Sequence, residues 1–336
     1  MENCYGSLVE LIAQVRRLRV LTEVADRGSF SAAADALGLT QSAVSQHISA
    51  LERAVGQTVV DRASRPAQLT EAGVILLRHA RAVVARLDTA EQELAAVAGR
   101  RLGLLRLGAF PTALATFLPP VLARFQQQYP TVRLTVVDEH MPRLHTRLHD
   151  GELDLAITYD HEALPDLAPP DLRRVHLFDD PFRAVLPRGH HLAKSGASLS
   201  LSELAEETWV GGSATSAWFR ILRHSCREAG FDPTVALTSD DYLGLQAFVA
   251  ANLGVAVVPG LAATPAGPRV EVREIRAPAP VRRIWVARAN DAYPSPAVQT
   301  MVDTLVTMTR KRVSSDAGRP PRRSAPAGRR GRRSAR

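Results

Sequence analysis

Apolar residues near the start of the chain recur at helical spacing and separate into three short segments. Leu18, Leu21 and Val24 predict a first helix that starts near Val15 and stops at residues 26–29. A second helix is predicted over 31–37, and a third over 41–55, after a break at 38–40. Residues 1–14 stand outside this pattern, so we expect an appendage there that is disordered or precedes the true translation start.

The second and third segments have the pattern of a helix-turn-helix. Gly38 provides the positive φ of a sharp turn, and Ala34 allows two helices to approach closely. In the third helix, a buried stripe of Val44, Ile48 and Leu51 leaves short polar side chains outside, which suit base edges and phosphates. The alternative interpretation is an ordinary pair of packed helices that does not bind DNA. The expected DNA contacts in the two helices are Ser31, Thr40, Gln41, Ser42, Ser45, Gln46 and Arg53.

Residues 58–70 read as a short β pair and predict a wing. Its tip carries Arg62 and Arg65, which we add to the expected DNA contacts because arginine binds phosphate. A surface hairpin with solvated arginines is the alternative. Charge does not decide between them, since residues 1–70 contain seven Arg and seven acidic residues.

A long helix is predicted over 70–98, with apolar residues alternately four and three positions apart. About three heptads of this kind favour a helix that pairs with a second copy, and a helix packed on its own domain is the alternative. The repeated positions are Leu76, Ala80, Val83, Leu87, Ala90, Leu94 and Val97, of which Leu76, Val83, Leu87 and Leu94 are the expected dimerisation residues.

After Gly99 strand-like and helical runs alternate, which predicts an α/β body with a parallel sheet and helices on both faces. This alternation of strands and helices occurs in two successive regions, so we expect two lobes with a cleft between them. Lobe I would comprise 100–159 and 268–309, and lobe II 160–267. The whole chain is therefore read as an all-α winged helix-turn-helix head at 15–70, a linker helix at 71–99 and a two-lobed body at 100–309.

Small polar residues follow the predicted strands of both lobes and suggest a binding cleft. Phe110, Pro111 and Thr112 lie at a strand end in lobe I, and Ser213, Thr215 and Asp240 lie at corresponding corners of lobe II. Hydroxyls and backbone N–H groups there suit a carboxylate or another polar group. Helix capping alone is the alternative for each Ser and Thr. Phe110, Phe117 and Trp218 would form an apolar wall.

The net charge of +8 comes from the end of the chain. Residues 310–336 hold 11 Lys/Arg and one acid, which leaves 31 basic and 33 acidic residues elsewhere. This tail is rich in Arg, Pro, Gly and Ser and is predicted to be disordered. It is either a passive extension or a nonspecific contact for phosphates.

Several functional classes find no support in the sequence. We expect no membrane segment and no secretion signal, and hence a cytoplasmic protein. Cys4 and Cys226 are isolated and read as inert thiols. A metal at His140, His145 and His149 is disfavoured by nearby arginines, so no metal or cofactor is expected. Hydrolase, metalloprotease and phosphate-loop motifs are absent from the sequence.

From about Leu18 to Thr309 the chain resembles the LysR family of bacterial regulators. The resemblance is carried by Gly28-Ser29-Phe30-Ser31, Ala33-Ala34, Leu37, Gln41-Ser42-Ala43-Val44-Ser45, Ile48, Leu51-Glu52, Gly56, Arg62 and Leu69-Thr70-Glu71-Ala72-Gly73. It implies a homodimer, often assembled into a homotetramer, and an effector domain like a periplasmic solute-binding protein. One departure is Val59-Val60, where the family usually has Leu-Phe.

The sequence thus predicts a sequence-specific regulator that binds double-stranded DNA and a small-molecule effector. The effector would change DNA bending or contact with RNA polymerase. A small-molecule-binding module without a DNA-reading role is the alternative, and an enzyme with a regulatory head is a weaker one.

Overall fold

A computed structural model of the chain describes residues 8–61, 66–97, 103–167, 169–193, 198–263, 268–290 and 294–317. Side chains are described from residue 14 to residue 310 within these ranges, apart from 89, 92, 93 and 95–97. The order of elements is a helical head, a long helix and a two-lobed α/β body.

The head contains three helices and a small β pair. These are α1 (Leu8–Arg27), α2 (Phe30–Leu37), α3 (Gln41–Val55), β1 (Val60–Asp61) and β2 (Gln68–Leu69), and α4 (Glu71–Val97) leads out of the head. Helix α1 begins seven residues before its predicted start, so residues 8–14 are helical and not a separate appendage. Val59 and Val60 are fully buried in the head core, where they fill the place of the larger Leu-Phe pair.

Local chemistry explains where the helices of the head begin and end. The Ser29 and Thr40 hydroxyls accept hydrogen bonds from the Ala32 and Ala43 backbone N–H groups, which caps α2 and α3. Gly38 ends α2 with φ of 62°, a left-handed conformation that glycine adopts without strain. These caps set the turn between the two helices.

Helix α4 packs partly on its own head. Ala80 is buried in the head core and Leu76 packs against it, so these two positions of the predicted seam do not lie on a free surface. Further along, Val83, Leu87 and Leu94 are exposed. The side chain of Val97 lies outside the described residues.

The body is built on a long strand that runs through both lobes. Lobe I contains β3 (Leu104–Ala109), α5 (Pro111–Ala115), α6 (Leu118–Gln128), β4 (Arg133–Asp138), α7 (Arg143–His149), β5 (Leu155–Asp160), β11 (Val281–Ala289) and α10 (Pro296–Ala317). Lobe II contains β7 (Thr208–Gly211), α8 (Ala217–Glu228), β8 (Thr234–Thr238), α9 (Tyr242–Ala250), β9 (Ala256–Pro259) and β10 (Val270–Glu274). Strand β6 (Leu172–Pro187) belongs to both.

Strand pairing corrects the expectation of a parallel sheet. Strand β3 pairs parallel with β4 and β5, as expected, but β11 pairs antiparallel with β5 and with residues 172–181 of β6. The remainder of β6 pairs antiparallel with β9 and β10. The sheet is therefore mixed. Residues 270–274 belong to the sheet of lobe II, whereas the first half of β6 belongs to lobe I, so the lobe boundaries differ from those read from the sequence.

Two helices of lobe I also differ from prediction. Residues 113–128 form one helical run in the amino-acid sequence, but the helix is interrupted at Thr116 and Phe117, and α6 restarts with prolines in its first turn. Proline suits this position because the N–H that it lacks has no partner inside a helix anyway. At the other end, α10 continues to Ala317, eight residues into the segment predicted to be disordered. The rest of that tail lies outside the described residues.

Arg81 on α4 connects the head with the body. Its guanidinium contacts Asp26 of α1, and its Nη1 lies 3.4 Å from Oε1 of Glu152 in lobe I. A Cβ on Gly151 would come within 2.7 Å of Ala85, so the loop after α7 lies directly on α4. The long helix therefore contacts both units.

Candidate nucleic-acid interface and effector cavity

Helix α3 presents a polar face to solvent. Val44, Ile48 and Leu51 are buried beneath it, as the spacing predicted. Of the residues expected to contact DNA, Ser31, Thr40, Gln41, Ser42, Gln46 and Arg53 are exposed, whereas Ser45 is half-buried and has a bonded partner. Arg62 and Arg65 lie outside the described residues. The exposed face therefore displays amide and hydroxyl groups, which both donate and accept hydrogen bonds.

Positive charge from α1 also lies close to α3. Burial lowers the pKa of His47 on α3, and the nearby Arg16 and Arg17 lower it further. The two arginines come from α1, so α1 brings two cations close to His47 of α3. Charge placed in this way attracts phosphates even though the head as a whole has no excess of basic residues.

A cavity of about 210 Å³ lies between the two lobes. All six residues expected to bind an effector line it. Phe117 does not line it, and packs instead edge-on against Phe178 with their ring centroids 5.1 Å apart. The complete lining consists of Phe110, Pro111, Thr112, His140, Met141, Tyr159, Ser213, Thr215, Ser216, Ala217, Trp218, Asp240, Tyr242 and Arg282.

Sequence reasoning missed Arg282, which is almost completely buried in the cavity wall. Its Nε donates to Oδ2 of Asp180 and its Nη2 donates to the Thr112 hydroxyl, both at 2.8 Å. The guanidinium also lies 4.9 Å from the ring centroids of Phe110 and Tyr159. The sequence gives little indication of this role, because Arg282 is one of two adjacent arginines on a strand. Only the pairing of β11 with β6 brings it opposite Asp180.

Burial and the charge of Arg282 both act on the titratable groups in the cavity wall. Burial lowers the pKa of Arg282, but the Asp180 carboxylate and the two phenols of Tyr242 and Tyr159 together raise it overall, so the guanidinium stays charged. Burial raises the pKa of Tyr159 and that of Tyr242, while Arg282 acts against both shifts. The two phenols are therefore neutral near pH 7 and can donate hydrogen bonds into the cavity.

The lobe II side of the cavity is polar at its rim. The Ser213 backbone N–H donates to Oδ1 of Asp240 at 2.9 Å, and the Ser213 and Thr215 hydroxyls lie 3.3 Å apart. The neighbouring Asp241 caps α9 instead, by accepting from the Leu243 and Gly244 backbone N–H groups. Aromatic rings of Trp218 and Tyr242, with centroids 5.2 Å apart, form the wall beneath. The cavity thus combines aromatic surface with a few polar groups, as small-molecule sites do.

A helix-turn-helix head joined to a two-lobed receptor body defines a ligand-responsive DNA-binding regulator. Two family models match the chain: "Bacterial regulatory helix-turn-helix protein, lysR family" over residues 15–74 and "LysR substrate binding domain" over residues 98–310. The chain belongs to the LysR family of bacterial transcriptional regulators. The match of the helix-turn-helix family model to residues 15–74 excludes the alternative of a small-molecule-binding module without a DNA-reading unit.

Relatives agree with this assignment. A probable hydrogen peroxide-inducible genes activator of Streptomyces viridosporus is 33% identical over 287 residues, which cover 82% of this chain and 88% of the relative. The regulator AlsR of Bacillus subtilis is 29% identical over 252 residues, covering 74% of this chain and 81% of AlsR. Both are named as activators or regulators and not as enzymes.

Solved structures share the fold. A full-length OxyR variant from Pseudomonas aeruginosa matches with a TM-score of 0.70 at 22% identity, covering 88% of this chain and 94% of OxyR. Full-length CbnR in complex with its target DNA matches with a TM-score of 0.62 at 20% identity, covering 88% of this chain and 99% of CbnR. Within the described residues, no helix is long and apolar enough to cross a membrane.

Proposed function

We propose that this regulator reads its operator with the exposed face of α3. The observation that carries this assignment is the division of the helix into a buried stripe and an exposed row that includes Gln41, Ser42 and Gln46. Gln pairs well with adenine in the major groove, while short hydroxyl side chains reach several base edges. Thr40 caps the helix, and Ser31 and Arg53 extend the exposed polar surface toward the phosphates.

We further propose that two chains pair through α4. Leu87 and Leu94 are 42% and 71% exposed, and Val83 lies on the same face, which is a large apolar stripe for a helix that faces water. Leu76 contributes at the edge, where α4 leaves the head. A homodimer would place two α3 helices about 34 Å apart, one turn of DNA. A homotetramer would extend the contact to further half-sites.

We propose that the cavity between the lobes binds a small polar effector without covalent chemistry. Among the residues that line it there is no cysteine. Cys226 is buried, and burial raises the pKa of its thiol to about 12, so the reactive thiolate is scarce near pH 7. Although relatives are named for genes inducible by hydrogen peroxide, Cys226 is poorly suited to oxidation by peroxide. Phe110, Pro111, Thr112, Ser213, Thr215 and Asp240 are the proposed effector contacts, with Arg282.

The effector acts by favouring one arrangement of the two lobes. A ligand shifts such an equilibrium only through its different affinity for the two arrangements, typically by about 1–3 kcal/mol. Because α4 contacts both the head and lobe I through Arg81, a change in the body reaches the paired helices. The consequence for transcription would come from altered DNA bending or contact with RNA polymerase, in the cytoplasm where the bacterial chromosome lies.

The test is to map DNA binding with matched variants. Purified full-length protein is incubated with the DNA upstream of its own and neighbouring genes, and protected sites are located by footprinting. The Gln41→Ala/Gln46→Ala variant should lose preference for the protected site. Gln127→Ala, an exposed Gln on α6 of the body, should bind like wild type. Affinity should fall steeply as salt rises. Unchanged site preference in the double variant would remove α3 from the reading role.

A further inference from the structure

A cluster of nitrogen and oxygen ligands lies in lobe II, outside the lining of the effector cavity and outside the head. It consists of His190, His191 and Glu207, whose ligand atoms all lie within 4.8 Å of one another. Nε2 of His190 is 3.4 Å from Oε2 of Glu207, and Nε2 of His191 is 3.7 Å from Oε1. The two imidazole rings lie side by side, with centroids 4.5 Å apart, and both direct Nε2 at the same carboxylate.

We propose that His190, His191 and Glu207 bind a divalent transition-metal ion of the zinc class. Bonds of about 2.0–2.2 Å around a tetrahedral zinc ion place its ligand atoms roughly 3.3–3.5 Å apart. The nitrogen–oxygen separations of 3.4 and 3.7 Å come close to this value, and all three ligand atoms lie within 4.8 Å of one another, so side-chain movements without a change of backbone suffice. Two imidazoles and one carboxylate leave a fourth position for water. This ligand set suits Zn²⁺, whereas Mg²⁺ and Ca²⁺ prefer oxygen ligands.

The fold holds two of the three ligands in place. His190 and Glu207 are largely enclosed, with side chains 12% and 23% exposed, while His191 is 67% exposed and can adjust. The histidines lie in the turn after β6, and Glu207 directly precedes β7. A bound ion would therefore tie these two segments of lobe II together. Because β7 leads to Ser213 at the cavity rim, the tie would brace one wall of the cavity from the opposite end of a strand.

The hydrogen bond of His190 shows which contact zinc binding would break. The Leu192 backbone N–H lies 3.3 Å from Nδ1 of His190, which makes Nδ1 the acceptor and leaves the ring proton on Nε2, facing Glu207. Coordination through Nε2 moves this proton to Nδ1 and gives up the long contact with Leu192. The site should therefore bind more weakly than a zinc site whose ligands are already in the required tautomer.

The histidines considered from sequence spacing do not form such a site. His145 is buried in lobe I, and burial lowers its pKa to about 4, with Arg174 adding to the shift. His149 lies on the surface with Nδ1 3.7 Å from Oδ2 of Asp171. Within the part of the chain that the structure describes, only the group in lobe II brings three such ligands together.

The experiment is calorimetric titration of tag-free, full-length protein with ZnCl₂. Wild type should bind zinc, and both His191→Ala and Glu207→Gln should weaken the affinity at least tenfold. His149→Ala is the matched control, since it removes an exposed histidine that also faces one carboxylate but has no second histidine. It should bind zinc like wild type. MgCl₂ should give no comparable binding.

Thermal unfolding followed by tryptophan fluorescence provides a second readout. Zinc should raise the melting temperature of wild type and of His149→Ala but not that of Glu207→Gln, because only a ligand bound to the folded state stabilises it. Equal zinc affinity in wild type, His191→Ala and Glu207→Gln would overturn the proposal, as would an equal loss in His149→Ala. The result does not depend on DNA binding or on the effector.

Discussion

Replacing Arg282 with methionine is expected to destabilise the body strongly. Arg282 and Asp180 have side chains only 1% and 5% exposed, so Arg282→Met would leave a buried carboxylate that keeps its hydrogen bond from the Leu261 backbone N–H but loses its ion pair. Loss of one member of a buried ion pair typically costs about 3–5 kcal/mol. The contacts of the guanidinium with Phe110 and Tyr159 would be lost as well.

The assay is thermal unfolding monitored by tryptophan fluorescence. Trp209, Trp218 and Trp285 all lie in the body, so the signal reports on that unit and not on the head. For a unit of roughly 200 residues, each kcal/mol corresponds to about 2–4 °C, so the melting temperature should fall by roughly 6–20 °C. Arg283→Met is the control, because the Arg283 side chain is 36% exposed and the buried Asp160 carboxylate keeps its contact with Arg174. The control should lose no more than about 1 kcal/mol.

A double-mutant cycle tests the reason for the loss. Asp180→Asn keeps an oxygen that can accept from Leu261 but leaves Arg282 charged and unpaired. The variant Arg282→Met/Asp180→Asn contains neither buried charge, so it should lose less stability than the sum of the single variants. Additive losses, or an Arg282→Met variant within about 0.5 kcal/mol of wild type, would refute the claim that a desolvated ion pair stabilises the cavity wall.

Three further predictions concern the helix pair, the wing and pH. Leu87→Asp should weaken dimers and DNA binding together, measured by analytical ultracentrifugation and anisotropy, because it places charge in the apolar stripe of α4; intact dimers would mean that α4 is not the pairing element. Gly73→Ala should destabilise the head by about 1–3 kcal/mol, because a Cβ there would lie 2.0 Å from the Val59 carbonyl oxygen. The measurement is chemical unfolding followed by far-UV circular dichroism, and wild-type stability of the variant would show that the backbone at Val59 moves away without cost. The folded-state pKa of His145, about 4, lies below its unfolded value of 6.5, so stability that is fully present above pH 6.5 is lost between pH 6.5 and 4. Between pH 7 and 5 wild type should lose about 2 kcal/mol more than His145→Gln, and equal pH profiles would contradict this.

What could be predicted from the sequence depends on short-range periodicity and turn chemistry. The bounds of α3 were predicted as observed, because Thr40 caps one end, Gly56 terminates the other and the apolar stripe has helical spacing. The six expected effector residues line one cavity because each follows a strand or precedes a helix, and such ends meet at the cleft of a two-lobed α/β body. Both signals are contained within a few neighbouring residues.

Tertiary structure decided the features that depend on residues far apart in the chain. Asp180 and Arg282 are 102 positions apart and meet only because β6 and β11 pair, and β6 serves both lobes because it is long enough to cross between them. Likewise, Leu76 and Val83 occupy equivalent positions in the heptad pattern, but only Leu76 packs against its own head. Spacing along a chain defines which side of an element is apolar, while the partner that covers that side is chosen by the packing of the whole molecule.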